Sequence, residues 1–164
     1  MRIAVYTGSF DPITLGHLNV IERGSRLVEK LIVGIGENIE KSPLFELHER
    51  LELVTRVTRI LPNVEVKTFS GLAVQFVKSC GANVMIRGVR PLTDIAAEFT
   101  MTMANRRLDP QMETVFLMAD GDYAHVSSSL IKQITPLADD EQLANFIPAA
   151  IIPDLRSRLA RRGS

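Results

Sequence analysis

Apolar positions along the chain follow two alternating rhythms. Short β-branched runs, RIAVY (2–6), KLIVGIG (30–36), NVEVKTF (63–69), NVMIRG (83–88) and TVFLMA (114–119), predict strands buried on both faces. Between them, apolar residues recur at spacings of three and four. Leu15, Leu18, Ile21 and Leu27 form one such stripe, Leu47, Leu51, Val54 and Val57 a second, and Leu72, Val74, Phe76 and Val77 a third. A further helix is expected from Leu92 to Leu108, closed by Asp109 and Pro110, and helices near 127–135, 140–146 and 149–161 finish the chain.

Five strands alternating with helices predict an α/β protein with a five-stranded parallel sheet flanked by helices and a helical C-terminal part. Each parallel pair needs a crossover helix. No internal repeat or low-complexity linker interrupts the 164 residues, so one domain over 1–164 is expected. Ligands of such a sheet bind at the carboxyl ends of its strands. The loops to inspect are therefore TGSFDPITLGH, ENIEKSPLF, GVRPLTD and DGDYAHVSSS.

Composition narrows the classes. The 19 basic side chains balance the 19 acidic ones, which argues against a dedicated nucleic-acid binder, and the basic ending RSRLARR reads as a solvated helix end. The single cysteine, Cys80, has no partner for a disulfide or a zinc site, which favours a reduced, cytoplasmic setting and a small packing role. No apolar run reaches the roughly 20 residues that span a bilayer. Asp11 and Pro12 break any signal-like layout, so the mature chain is expected to start at or near Met1.

Each loop offers groups that suit phosphate. In the first, Gly8 can adopt a backbone conformation closed to other residues, Pro12 stiffens the turn and Thr14 can cap the following helix. His17 lies in the first turn of that helix beside Gly16, where an imidazole can donate to a phosphate oxygen; capping or packing the helix is the other reading. Arg87 and Arg90 flank Gly88 and can bracket a phosphate, or form ion pairs with Asp94 or Glu98. Ser127, Ser128 and Ser129 open a helix and can bind phosphate or simply cap it.

Absences rank the chemistry. The sequence has neither GxxxxGK[ST] nor, after the first strand, GxGxxG; no nucleophile elbow occurs, and His17, His48 and His125 are scattered. Direct phosphoryl or nucleotidyl transfer between a nucleotide and a second phosphorylated substrate remains. Such a reaction is catalysed mainly by positioning and charge.

Taken together and in order, TGSFDPITLGH, KSPLF, IRGVR and VSSSLIK resemble bacterial phosphopantetheine adenylyltransferases over essentially the whole chain. TLGH resembles the T/H-x-G-H motif of the nucleotidyltransferase superfamily. The resemblance implies a Rossmann-like domain that transfers AMP from ATP to 4′-phosphopantetheine with Mg²⁺, giving dephospho-coenzyme A and pyrophosphate. It also implies a cytoplasmic homohexamer acting on neither membrane nor nucleic acid.

By motif position, His17 resembles the transition-state stabiliser, and Ser9, Lys41 and Arg90 resemble its catalytic companions. Ser9, Lys41 and Arg87 resemble the groups holding the pantetheine phosphate, with Leu72 and Ala73 along its arm. Ser9, Phe10, His17, Gly88, Val89, Arg90 and Glu98 resemble ATP contacts, as do Tyr123, Ala124, His125, Val126, Ser127, Ser128 and Ser129. The chain departs from the family at DIAAE, where Ile95, Ala96 and Ala97 replace a more aromatic and acidic stretch. Met101 and Met103 read as core filler rather than interface. A related enzyme acting on another phosphorylated acceptor, or a nucleotide-binding module without turnover, are the competing readings.

Overall fold

The computed structural model describes residues 2–37, 42–90 and 95–162. Lys41 and residues 91–94, with Leu92 and Asp94, lie outside them. Strand and helix alternate as the periodicity predicts: β1 (Ile3–Gly8), α1 (Leu15–Ser25), β2 (Lys30–Gly36), α2 (Leu47–Thr58), β3 (Val64–Phe69), α3 (Ala73–Ser79), β4 (Val84–Val89), α4 (Ile95–Leu108) and β5 (Glu113–Met118). A 3₁₀ turn over Gly121–Tyr123 leads to α5 (Ser128–Ile134) and α6 (Asp140–Leu143). A second one over Ala149–Ile151 leads to α7 (Ile152–Arg162).

All pairings in the sheet are parallel, in the order β3-β2-β1-β4-β5. The chain winds outward from β1 through β2 to β3, then returns to the other side of β1 for β4 and β5. The strand direction of winding therefore reverses between β1 and β4, and at that point the loops leaving the two carboxyl ends diverge and open a crevice.

The period-two alternation of the central strands feeds two cores. Ala4, Tyr6, Leu31, Val33, Ile35 and Ile86 face one layer with Val20 and Ile21 of α1 and Leu53 and Val54 of α2. Val5, Ile32 and Met85 face the other with Val74 and Val77 of α3. Each Val, Leu, Ile or Met side chain among them contributes about 1.5–3 kcal/mol when taken out of water.

Only the inner strands are buried on both faces. The edge strands β3 and β5 are half-buried to exposed, which corrects the expectation for 63–69 and 114–119. An edge strand has a neighbour on one side only, so the same β-branched composition serves a less covered position.

Met101 and Met103 are likewise not core filler. They are 57% and 54% exposed, and with Phe99, Phe116 and Met118 they leave an apolar face on α4 and β5 uncovered. The basic ending is not simply solvated either. Arg156 donates to the Thr135 and Ala138 carbonyls at 2.8 and 2.6 Å and to Asp140 at 2.7 Å, and Arg158 pairs with Glu49 while lying over the Phe45 ring. Cys80 is half-buried against the α3 core.

Helix α1 carries His17, and its seat on the sheet is set by Gly88. A Cβ at that position would lie 2.9 Å from Val20 Cγ2 and 3.3 Å from the Tyr6 hydroxyl. Val20 is β-branched and has little rotamer freedom with which to move aside. Gly88→Ala is therefore expected to cost about 1–3 kcal/mol by overpacking. Adding Val20→Ala should recover part of that loss, read as a positive coupling in a denaturant double-mutant cycle; additive losses would show that α1 does not rest on Gly88.

Candidate active site

The crevice between the ends of β1 and β4 is a cavity of about 420 Å³. Its wall combines the β1–α1 loop, the end of β4, the start of α4, the loop after β5 and helix α5. Ser9, Phe10, His17, Arg87, Gly88, Arg90, Glu98, Tyr123, Val126, Ser127, Ser128 and Ser129 all line it. Val89, Ala124, His125, Leu72 and Ala73 do not. Val89 is buried in the sheet, Leu72 caps α3 at 48% exposure, and His125 turns its ring onto Phe146 with centroids 5.8 Å apart. Lys41 lies outside the described residues.

The β1–α1 loop departs from its expected geometry in one respect. Gly8 does not supply the left-handed backbone; Phe10 does, at φ 49°. Gly8 instead leaves room, since a Cβ there would sit 3.0 Å from the Phe10 ring. That ring is 1% exposed and meets Tyr6 and His17 edge-on at 5.4 and 5.1 Å. A cis peptide bond joins Asp11 and Pro12.

Thr14 caps α1 as expected, and His17 completes a reciprocal capping box. The His17 amide donates to Thr14 Oγ1 at 3.2 Å, and the Thr14 amide donates to His17 Nδ1 at 3.1 Å. Capping and chemistry are therefore not alternatives for this residue. Because Nδ1 accepts from a backbone N–H, the neutral ring carries its proton on Nε2, on the side away from the cap. Burial, followed by the nearby Arg90 and Arg87 charges, lowers the His17 pKa from 6.5 to about 4. At neutral pH the residue is an uncharged N–H donor.

Arg87 is held by Glu98, one of the two partners its rival reading named; the other, Asp94, lies outside the described residues. Its Nε and Nη2 donate to the two Glu98 oxygens at 2.7 and 2.6 Å, and Nη1 donates to the Thr7 carbonyl at 2.7 Å and hydroxyl at 3.2 Å. Arg90 donates to the Val126 carbonyl at 3.4 Å, tying β4 to the loop after β5. Ser127 is the N-cap of α5, accepting from the Leu130 amide, and Ser128 donates to the Pro12 carbonyl at 2.9 Å. The carbonyl of Phe146, in the turn after α6, accepts from the Leu15 amide at 2.8 Å in the first turn of α1.

Further groups at the cavity escaped the sequence reading. Lys132, one turn after Ser128 on α5, lines the cavity and pairs with Asp11 at 2.9 Å. Asp11 is 8% exposed and also accepts from the Leu44 and Phe45 amides, each at 2.8 Å. The i, i+4 spacing from Ser128 to Lys132 was the available signal, since it puts both on one helix face. Ala97, within the divergent DIAAE stretch, also lines the cavity.

Asp11 and Glu98 are the carboxylates lining the cavity among the described residues, and both are already occupied by a cation. No group of three or more His, Cys, Asp or Glu among those residues can hold a metal ion. Among the described residues, the side chains at the cavity therefore do not fit a protein-held Mg²⁺ site. No described helix is long and apolar enough to cross a membrane.

The cytidylyltransferase-like family model matches residues 5–134, the span that contains every loop of the cavity. A phosphopantetheine adenylyltransferase of Rhodopirellula baltica is 64% identical over 96% of this chain and 89% of its own length. One from Clostridium botulinum is 45% identical over 96% and 98%. A solved nicotinic acid mononucleotide adenylyltransferase of Plasmodium falciparum, complexed with NaAD, superposes with a TM-score of 0.60 at 18% identity, covering 93% of each chain. That last likeness carries the fold alone. A crevice at the strand reversal with a neutral histidine in its floor, and near-full-length identity to two such relatives, agree: this chain belongs to the phosphopantetheine adenylyltransferase family.

Proposed function

We propose that the chain transfers AMP reversibly from ATP to 4′-phosphopantetheine, giving dephospho-coenzyme A and pyrophosphate. The observation that carries this reading is His17, fixed as an uncharged Nε2–H donor among Arg90, Lys132 and the α5 serines in a cavity of about 420 Å³. A phosphate oxygen of the acceptor attacks the α-phosphorus of ATP. The new O–P bond forms as the bond to the bridging β-phosphate oxygen breaks, and pyrophosphate leaves with that electron pair. The acceptor phosphate is ionised at neutral pH, with a second pKa near 6, so the reaction needs neither a protein nucleophile nor a strong general base.

In this reading the protein contributes placement and charge. His17 donates to an α-phosphoryl oxygen as negative charge builds there, and Ser9 at the cavity rim orients the entering phosphate. Arg90 and Lys132 face the leaving pyrophosphate. Lys41 is assigned with Arg87 to the acceptor phosphate on motif position. Mg²⁺ would lend positive charge to the triphosphate when bound with it, and no step is assigned to it.

The reading extends to a self-associating, cytoplasmic enzyme. Support for association is the uncovered face of Phe99, Met101, Met103, Phe116 and Met118, each at least 40% exposed; a hexamer is the state the family resemblance implies. Support for the cytoplasm is the unpaired Cys80.

The decisive test offers ATP or CTP with a panel of acceptors that includes 4′-phosphopantetheine and nicotinate mononucleotide. Pyrophosphate release is expected with ATP and 4′-phosphopantetheine; preference for another acceptor, or tight nucleotide binding without release, would overturn the assignment. His17→Ala should lower kcat about a hundredfold or more while the thermal transition persists.

The depressed His17 pKa also fixes a pH dependence. The unfolded chain takes up a proton at this residue below 6.5, whereas the folded chain resists it until about 4. Stability from this group is therefore complete above 6.5 and is lost as pH falls towards 4. An NMR titration of the His17 ring with a midpoint near 6.5 would contradict this. Phe99→Glu is expected to shift the sedimentation profile towards monomer; an unchanged profile would place the interface elsewhere.

A further inference from the structure

We propose that Arg50 is a positioning residue for the transfer: its guanidinium fixes the Ser9–Phe10 backbone, and the Phe10 ring in turn fixes the His17 imidazole. The inference rests on the reading that His17 faces the reacting phosphate.

Arg50 stands in the first turn of α2 and is 3% exposed. Its Nη1 donates to the Ser9 carbonyl at 2.8 Å and the Gly36 carbonyl at 3.0 Å, and its Nε donates to the Phe45 carbonyl at 3.1 Å. None of these bonds goes to a carboxylate. Burying a cation without an anionic partner is costly, and an aliphatic side chain could fill the same space. A rigid fork that gathers three carbonyls from the ends of β1 and β2 and the start of α2 performs something packing cannot.

What it holds is a strained turn. The Ser9 carbonyl and the Phe10 amide belong to one planar peptide unit, so anchoring the Ser9 oxygen also anchors the plane from which Phe10 turns into φ 49°. A non-glycine residue there costs about 1–2 kcal/mol and persists only where its surroundings enforce it. Phe10 is enforced twice, by Arg50 through the backbone and by the absent Cβ of Gly8 at the ring.

The ring then transmits the constraint. Phe10 meets the His17 ring edge-on at 5.1 Å with planes at 68°. Thr14 fixes one edge of the imidazole through Nδ1, and Phe10 restrains its remaining rotation. A displacement of about 1 Å in a donor of this kind can cost about a hundredfold in rate.

Three variants of the full chain test this: Arg50→Lys, Phe10→Leu, and Arg56→Ala. Arg56 is on the same helix but pairs with Glu52 and Asp154 away from the cavity, so its variant reports lost stability alone. Arg50→Lys should lower kcat about 10- to 100-fold while KM for ATP moves less than about threefold. The His17 midpoint, followed by ring ¹⁵N NMR, should rise from about 4 towards 6.5 as the ring loosens. Arg56→Ala should leave both unchanged.

An unmoved kcat and His17 resonance in Arg50→Lys, or a loss that only follows the folded fraction, overturns the proposal. If Arg50→Lys does not fold, Phe10→Leu decides: the same two shifts support the proposal, and their absence overturns it. The NMR readout needs no acceptor, so a failure to release pyrophosphate with 4′-phosphopantetheine would discard the functional reading and still leave the positioning claim decided.

Discussion

Two buried ions, Asp11 and Arg50, join the loops that leave β1 and β2, and neither does so chiefly through the other. Asp11 gathers N–H groups from Leu44 and Phe45; Arg50 gathers carbonyls from Ser9, Gly36 and Phe45. A loop is short of backbone partners because it lies outside the ladders, and every buried amide or carbonyl it carries must still be satisfied. Here an anion serves the amides and a cation serves the carbonyls, so Phe45 is held at both of its polar groups. The remainder of the site, from the left-handed Phe10 to the orientation of His17, inherits its geometry from that arrangement.

The same economy governs the charges that line the cavity. The proposed reaction brings two polyanions together, yet cations left bare in a cavity would repel one another and depress the pKa of any histidine nearby. The structure couples two of its cations to carboxylates, Lys132 to Asp11 and Arg87 to Glu98. Arg87 and Arg90 still act on His17 from a distance, and with desolvation they keep it neutral. Under the proposed reading, a neutral donor attracts ground-state phosphate less strongly than a cation would, which favours interaction where charge develops during transfer.

Much of the architecture was legible because it depends on periodicity. Alternating apolar rhythms gave the order of elements and hence the end of the sheet where the cavity forms. The capping role of Thr14 could be read from its side chain and position, and the convergence of His17, Arg90 and the α5 serines followed once their loops were assigned to one sheet edge. What was not legible depends on contacts between distant segments. The side chain alone does not distinguish a structural cation from a surface one at Arg50 or Lys132; Ser9, which Arg50 anchors, lies 41 positions away, and Asp11, which pairs with Lys132, lies 121 away. The positive φ at Phe10 rather than Gly8 is hidden for a related reason, since glycine is free to take that conformation while phenylalanine must be forced into it by tertiary structure. Edge exposure of β3 and β5 escaped because periodicity reports a strand, not its number of neighbours.

The bond from the Leu15 amide to the Phe146 carbonyl ties the start of α1 to a distant part of the chain. One of the first amides of α1 finds its acceptor only far along the chain, in the turn that follows α6. The parallel sheet is built without that turn, whereas the α1 terminus is not fully satisfied until the turn is in place. A chain cut before that turn would therefore keep the motifs and the strands and yet leave an amide of the histidine-bearing helix without its acceptor.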